Sequence, residues 1–587
     1  TGTAQSQSVA LEAAPAVAAR MAEAPPPLRL AEAQEVPFLA ELRPAREGAV
    51  DQIAAVAAFN QATTCKRKNG FSRPLPLDRA VRLDGSLLTQ AAGTSSGGAF
   101  VRSADGVVWG AQVRVEDAWR VRLHLSDVHL PRDARMWVYG EGGSAAGPFG
   151  LELADAEDGL WTPSVAGPVL RFEVEVPARN LEDNRRFGFR VDRVLELVRL
   201  DQAGAPTWAP RVATGCMRDA SCFDASDWQV IDQVKHGIAQ LSFVAENQSF
   251  VCTGGLLNDS DPDTAIPYLL TSNDCISTQA SAASLEATWD WFTSSCNDPA
   301  PDIDSKPKSI GSTLLRTGAS SDFTLLRLNG IPAGRVFLGW NATPGVVGPG
   351  TRLHRLSHPA PDGDLQPQAY SRSTGLVADF NRCGVDEGRP LDDPTKFLHH
   401  DEDIGGTFSG SYGAPLIMEG PQGWTVGQLW CHCGSDPHEG CDTAANDTLD
   451  GAFSNTYQFV SEFIDPAGSG APPPFATWLR SPDLPGFEAQ VRITPPTGGP
   501  VQGSRETHCI VETLCASGAL AGRPEVFVKI IGPRPNGFLW AQITRFTPSR
   551  VEVWLRQLSS GQVNYYNLAA ASAGDLTGLE DRTAYQP

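Results

Sequence analysis

Apolar residues recur at every second position through much of the chain, and that spacing predicts strands with one buried face. Trp119, Val121, Leu123 and Leu125 alternate with Arg120, Arg122 and His124. Leu170, Phe172, Val174 and Val176 alternate with Arg171, Glu173 and Glu175. Gly142-Gly143-Ser144 and Asp158-Gly159 read as turns between such strands. Residues 36–205 are therefore expected to form a β-sandwich. The same period returns in residues 486–587. Val526, Val528 and Ile530 alternate with Phe527 and Lys529, and Val551, Val553 and Leu555 with Glu552, Trp554 and Arg556. Ser559-Ser560-Gly561 before Val563 reads as a hairpin turn, giving a small C-terminal β module.

Proline- and glycine-rich stretches divide the chain. Residues 1–35 form an Ala/Pro-rich arm ending near Pro25-Pro26-Pro27. Such a segment buries little by itself, so only a neighbouring domain or a second molecule would hold it. A linker is expected around residues 203–210, and a Cys-rich domain spans 206–480 before Gly468-Ser469-Gly470 and Pro472-Pro473-Pro474 mark its exit.

Composition narrows the class of function. The 587 residues exceed one domain, and 57 Gly with 45 Pro favour short strands over long helices. The net charge of −21 opposes binding to nucleic acid or an anionic membrane. Twelve Cys against four Met point to an oxidising compartment. No apolar run reaches the ~18 residues of a membrane span. A secreted, extracellular protein is expected, with the periplasm as the other location and a signal peptide already removed.

Three ordered blocks in the Cys-rich domain carry candidate chemistry. The first is Phe250-Val251-Cys252-Thr253-Gly254-Gly255 with Thr271-Ser272-Asn273-Asp274-Cys275. The second is Ser321-Asp322-Phe323-Thr324-Leu325-Leu326. The third is Gly410-Ser411-Tyr412-Gly413-Ala414-Pro415, followed by Gly427-Gln428-Leu429-Trp430. Together they resemble the lysyl-endopeptidase-like branch of the trypsin-like, chymotrypsin-fold serine proteases. The resemblance covers roughly residues 210–470 and implies a double β-barrel, so the chain as a whole is expected to be all-β.

In that family a His precedes the Cys of the first block, an Asp opens the second, and a Ser stands third in the last. The corresponding positions here are Asp274, Asp322 and Tyr412. Only the Asp is kept. A serine hydroxyl needs an imidazole to take its proton, and a phenol with a carboxylate does not replace the pair near neutral pH. In a measured protease, loss of the Ser or His alone lowers turnover by about a millionfold. Ser411, next to the Ser position, is expected to point elsewhere. The resemblance therefore implies a secreted pseudoprotease and not an enzyme. It has a structural or binding role, self-assembly through the arm is one form of it, and peptide binding in the old cleft is another. The alternatives are an active secreted endopeptidase whose site lies elsewhere, and a regulator of a partner protease.

The resemblance also implies disulfides: Cys252 with Cys275, Cys222 with Cys296, and Cys216 with a member of the 431–441 cluster such as Cys441. Cys509 with Cys515 would close a local loop, while Cys65, Cys383, Cys431 and Cys433 have no assigned partner. Residues 147–177 resemble the β-rich pro-region found before some bacterial proteases of this branch. No cofactor is expected, and no metal. Cys431-His432-Cys433 with His438 and Cys441 matches no zinc spacing, and Asp259, Asp261 and Asp263 lack the Gly and Glu of a calcium loop. His399-His400-Asp401-Glu402-Asp403 reads as an exposed charged turn, and Trp289, Trp291 and Phe292 as an aromatic core strand. Asp447 lies near the position where a Lys-selective pocket would carry its acid.

Overall fold

The computed structural model describes residues 8–13, 30, 35–44, 51–62, 67–75, 80–131, 133–150, 159–182, 186–198, 217–260, 265–360, 365–375, 396–433 and 447–465. Beyond these it describes 478–480, 486–494, 501–502, 504–505, 514–517, 525–531, 539–558, 563–568 and 578–585. Contacts divide the chain into two units, residues 1–258 with 267–460, and 259–266 with 461–587.

The first part of the larger unit is a two-layer sandwich. One sheet runs Ala145–Phe149, Arg135–Tyr139, Val169–Pro177, Gly106–Val115, Gly98–Arg102 and Ala92–Ser95, with Phe38–Leu42 added parallel to Gly106–Val115. The facing sheet runs Leu160–Trp161, Arg120–His129, Phe187–Leu197 and Arg67–Pro74. Val121, Leu123, Leu125, Leu170, Phe172, Val174 and Val176 all point into the core between them. Phe189 anchors that core, with its ring edge-on to Trp109 and Phe172 at 5.7 Å each.

The polar positions of both strands depart from expectation, because neither outer face is open to solvent. Arg120 and Arg122 are buried, at 3% and 0% exposure. Their face packs against the Cys-rich domain. Arg122 donates to the Thr162 and Ser284 carbonyls at 2.7 and 2.9 Å. Arg120 pairs with Asp304, and Lys308 lies 2.9 Å from Glu286. Ser164 ties the two sides together, donating its N–H and hydroxyl to the Glu286 carboxylate at 2.7 Å each. On the other sheet, Leu30 and Val36 cover Ala99 and Val108, and Gln112 donates to the Val36 carbonyl at 2.6 Å.

The second sandwich sheet does not stop at its edge. Arg67–Pro74 pairs antiparallel with Gln248–Leu257, the strand that carries Cys252. The ladder continues through Ile238–Ala245 and Glu286–Trp289 to Lys308–Ile310. Tyr268–Thr271 joins Gln248–Leu257 on one side and Phe323–Leu328 on the other. A second sheet of this domain runs Gly339–Asn341, Trp424–Cys433, Pro415–Met418, Arg352–Ser357 and Ala369–Thr374, and Asp447–Ala452 pairs Trp424–Cys433 and Phe397–His400. The chain is all-β in class, although these ladders, among the described residues, are open rather than closed rings. Trp289 and Trp291 lie inside, as the core reading expects.

Part of the N-terminal arm is held by its own chain. Ser8–Val9 pairs antiparallel with Trp340 and Asn341, and Glu12–Ala13 with Val336 and Phe337.

The smaller unit contains two five-stranded sheets. Phe487–Thr494 and Val563–Leu568 flank Arg550–Gln557 in one, while Leu514–Ser517, Val526–Ile531, Leu539–Arg545 and Gly578–Tyr585 succeed one another in the other. Val491, Val526, Val528, Val551, Val553 and Leu555 fill its core, as their alternation predicts. Arg550–Gln557 and Val563–Leu568 pair antiparallel, with Val553 opposite Tyr566.

Candidate functional site

Three local devices bring positions 274, 322 and 412 together. The strand Tyr268–Thr271 runs out into a turn carrying Asp274 and Cys275, and Cys275 is bonded to Cys252 on the neighbouring strand. Asp322 stands just before Phe323–Leu328 with φ at 46°, in the left-handed region. The loop before Pro415–Met418 turns through Gly410 at φ 93° and Gly413 at φ 79°. A Cβ on Gly413 would lie 2.1 Å from Thr271 Oγ1 and 2.6 Å from the Thr253 carbonyl oxygen. Glycine is therefore required there both by φ and by close approach.

The cradle around Asp322 is complete. The Asp274 N–H donates to Asp322 Oδ1 at 2.9 Å, and the Ser272 hydroxyl donates to Oδ2 at 2.5 Å. Asp274 turns its own carboxylate toward the strand Trp424–Cys433, where the Trp430 indole N–H donates to Oδ2 at 3.0 Å. Asp274 thus presents its backbone N–H to Asp322 and its carboxylate to Trp430. The Thr253 N–H donates to the Tyr412 carbonyl at 2.8 Å, fixing the loop on the disulfide-bearing strand. The Tyr412 ring is 2% exposed, and its hydroxyl reaches to 3.5 Å from Cys431 Sγ. Two side chains thus cross to adjacent residues of Trp424–Cys433: Asp274 to Trp430 and Tyr412 to Cys431.

Among the described residues, the neighbouring serine and three histidines of this domain are engaged with other partners. Ser411 is fully buried and accepts a hydrogen bond from the Ser357 hydroxyl at 2.9 Å. His236 Nδ1 meets Asp290 at 2.7 Å. His354 stacks on Trp228 at 4.5 Å and bonds the Tyr370 hydroxyl. His358 stacks on Trp291. Burial holds both His354 and His358 at about 3, so these imidazoles are neutral at physiological pH.

The segment 399–403 is corrected by the structure: its first half is buried and not an exposed turn. His399 and His400 are each 1% exposed and Glu402 is 3% exposed, while the side chain of Asp403 stays partly open. His400 joins a sealed network. Its Nδ1 lies 2.6 Å from Ser373 Oγ and its Nε2 lies 2.7 Å from Asp450 Oδ2. Arg355 Nη2 donates to both Asp450 oxygens at 2.6 Å. Burial raises Glu402 to about 8 against the pull of Arg355, with Asp450 adding to the rise. Although Arg355 lies 3.4 Å from Glu402, its charge is therefore balanced by Asp450. Burial also lowers His400, outweighing Asp450. Sequence reasoning missed this cluster. The available signal was period two, which puts His400 on the face of Leu398.

Of the remaining expectations, Cys222 is bonded to Cys296, with Cα atoms 4.2 Å apart. Cys431 and Cys515 are disulfide-bonded. Cys65, Cys216, Cys383, Cys441 and Cys509 lie outside the described residues, as do His438, Asp261 and Asp263. The side chains of His432, Cys433 and Asp447 lie outside them too, although Asp447 pairs opposite Cys433 through the backbone. Among the described residues no group of three or more His, Cys, Asp or Glu could hold a metal ion.

The family model for the C-terminal domain of lysyl endopeptidase matches residues 212–448. Residues 212–448 are therefore similar to the C-terminal domain of the lysyl endopeptidases. Lysyl endopeptidase of Pseudomonas aeruginosa is 27% identical over 269 residues, covering 44% of this chain and 56% of the relative. The chain thus matches little more than half the length of that relative. Among solved structures, VesB protease of Vibrio cholerae is similar at 14% identity and a TM-score of 0.29, covering 59% of this chain and 96% of that one. A thermostable serine protease, AL20, from an extremophilic microorganism gives 13% and 0.25, covering 38% of this chain and 94% of that one.

Proposed function

We propose that this protein is a secreted serine-protease homologue without peptidase activity, whose protease-like domain serves as a structural or binding scaffold. The observation that carries the reading is the pair of side chains that cross the site. Tyr412 stands where the family has its nucleophile, with its ring buried and its hydroxyl at Cys431. Asp274 stands where the family has its base, with its carboxylate held by Trp430. An acyl group would need the volume that the Tyr412 ring fills, and no imidazole stands at 274 to accept a proton. The Cys222–Cys296 and Cys252–Cys275 disulfides support export.

One observation favours an active enzyme with its site elsewhere: Ser373, His400 and Asp450 form a hydrogen-bonded chain in the order of a catalytic triad. Its burial argues against it, because Ser373 and His400 are each 1% exposed and Asp450 is 0% exposed. A fluorophosphonate probe decides between the readings. The intact chain is expected to stay unlabelled and to hydrolyse no Lys-peptide ester above background. A label on Ser373, or on any other serine, would overturn the proposal.

A further inference from the structure

The segment Ser8–Ala13 sits in a groove shaped for it. Leu11 donates its N–H to the Gln422 carbonyl at 2.8 Å, and Asn258 donates its side-chain amide to the Ala10 carbonyl at 3.0 Å. The Leu11 side chain packs against the cluster of Trp228, Ile231, Leu338 and Ile417. Two glycines make room for it. A Cβ on Gly339 would lie 2.5 Å from the Val9 carbonyl oxygen, and one on Gly423 would lie 2.3 Å from Leu11 Cδ2. Gly339 has an ordinary negative φ, so its bare Cα is required by the approach of neighbouring backbone, the arm and Gln422 included, and not by conformation. The groove thus reads an extended backbone on both edges and one leucine-sized anchor.

We infer that this groove is a peptide-binding site, filled in cis by residues 8–13 and open to the same segment of a second copy. Among the described residues of the arm before Leu30, the bonds that seat it lie within those six positions and do not depend on which chain supplies them. Residues 14–29 intervene before Leu30, which is buried against the sandwich. A segment of that length spans up to about 55 Å when extended, enough to reach a neighbouring molecule. Attachment in cis supplies the arm at a raised effective concentration. Exchange between copies therefore becomes visible when the cis arm is weakened or the protein is concentrated.

This inference rests on the scaffold reading for its biological use, and a fluorophosphonate label on the same protein would report failure of that reading separately. The test uses full-length chains and a fluorescent peptide of residues 5–16. The Leu11→Asp chain, whose own arm cannot seat, is expected to bind the peptide at least tenfold more tightly than the unmodified chain does. A peptide carrying Leu11→Asp is expected not to bind. Absence of binding to a Leu11→Asp chain that melts like the unmodified one overturns the proposal. As a second measurement, the Leu11→Asp chain has a free groove and a Gly339→Ala chain a free arm. Mixed at about 100 μM, they are expected to form a species of twice the mass that neither forms alone. If both fold and the mixture stays monomeric, exchange between copies is overturned. If Gly339→Ala does not fold, the peptide measurement decides alone.

Discussion

The Tyr412 phenol occupies volume that a serine at the same backbone position would leave open. Asp322 keeps two donors, and one of them is the backbone N–H of residue 274, which no substitution there removes. A histidine at 274 would meet a carboxylate already held in place. The double variant Asp274→His with Tyr412→Ser is therefore expected to take up a fluorophosphonate label and to hydrolyse activated esters about a hundredfold above the unmodified chain. Each single variant should stay near background, because residues of one catalytic unit act non-additively. Active-site labelling read by mass spectrometry checks this. Glu402 offers a separate test. Its folded value of about 8 lies above the usual carboxylate range. The stability linked to it is present at low pH and falls as pH rises from about 4.5 through 8. Glu402→Gln is expected to flatten that fall, raising the melting temperature at pH 8 relative to the unmodified chain and leaving it unchanged at pH 5.

At the scale of single elements, period two located the strands but not what lies against their second face. Arg120–His129 places Val121, Leu123 and Leu125 in the sandwich core as its alternation predicts. The intervening arginines are buried as well, because the other face meets Glu286, Asp304 and Lys308 from another domain. Burial alone would raise Glu286, but Lys308, Arg122 and Arg120 outweigh it and hold the carboxyl at about 2. That stabilisation is present above about pH 4.5 and is lost as pH falls through 4.5 toward 2, a term of about 3 kcal/mol. Circular dichroism melts between pH 5 and 2.5 should show the loss, and Glu286→Gln should reduce its pH dependence while lowering stability at pH 7. The loop before Pro415–Met418 gives a second prediction. Gly413→Ala would strain a left-handed backbone and press on Thr271, costing about 2–4 kcal/mol in a urea melt.

Across the whole larger unit, one ladder runs from the sandwich into the protease-like domain through Arg67–Pro74 and Gln248–Leu257. The strand arrives beside Cys252 and so beside the disulfide that holds the turn of Asp274. Separating the sandwich from the protease-like domain would have to break both that ladder and the buried ion pairs. Engineering a cleavage site within residues 199–216 should therefore leave the two pieces together in gel filtration at neutral pH. Release of the sandwich after cleavage would contradict the strength assigned to this junction.

The strand periods, the Cys pattern and the three blocks were carried by the sequence alone, because each depends on local spacing. Alternation reports a buried face wherever one exists, and the order of the three blocks carries the resemblance. The tertiary structure alone decided where polar residues went. Arg122 and His400 read as solvent-facing positions because their partners, Glu286 and Asp450, lie 164 and 50 positions away. The arm reads as an unstructured tail for the same reason, since its partners at 336–341 and 422 are distant in sequence. A charge is buried only where an opposite charge awaits it, and a strand is held only where an edge lies open. Both conditions are set by the folded neighbours and not by the segment itself.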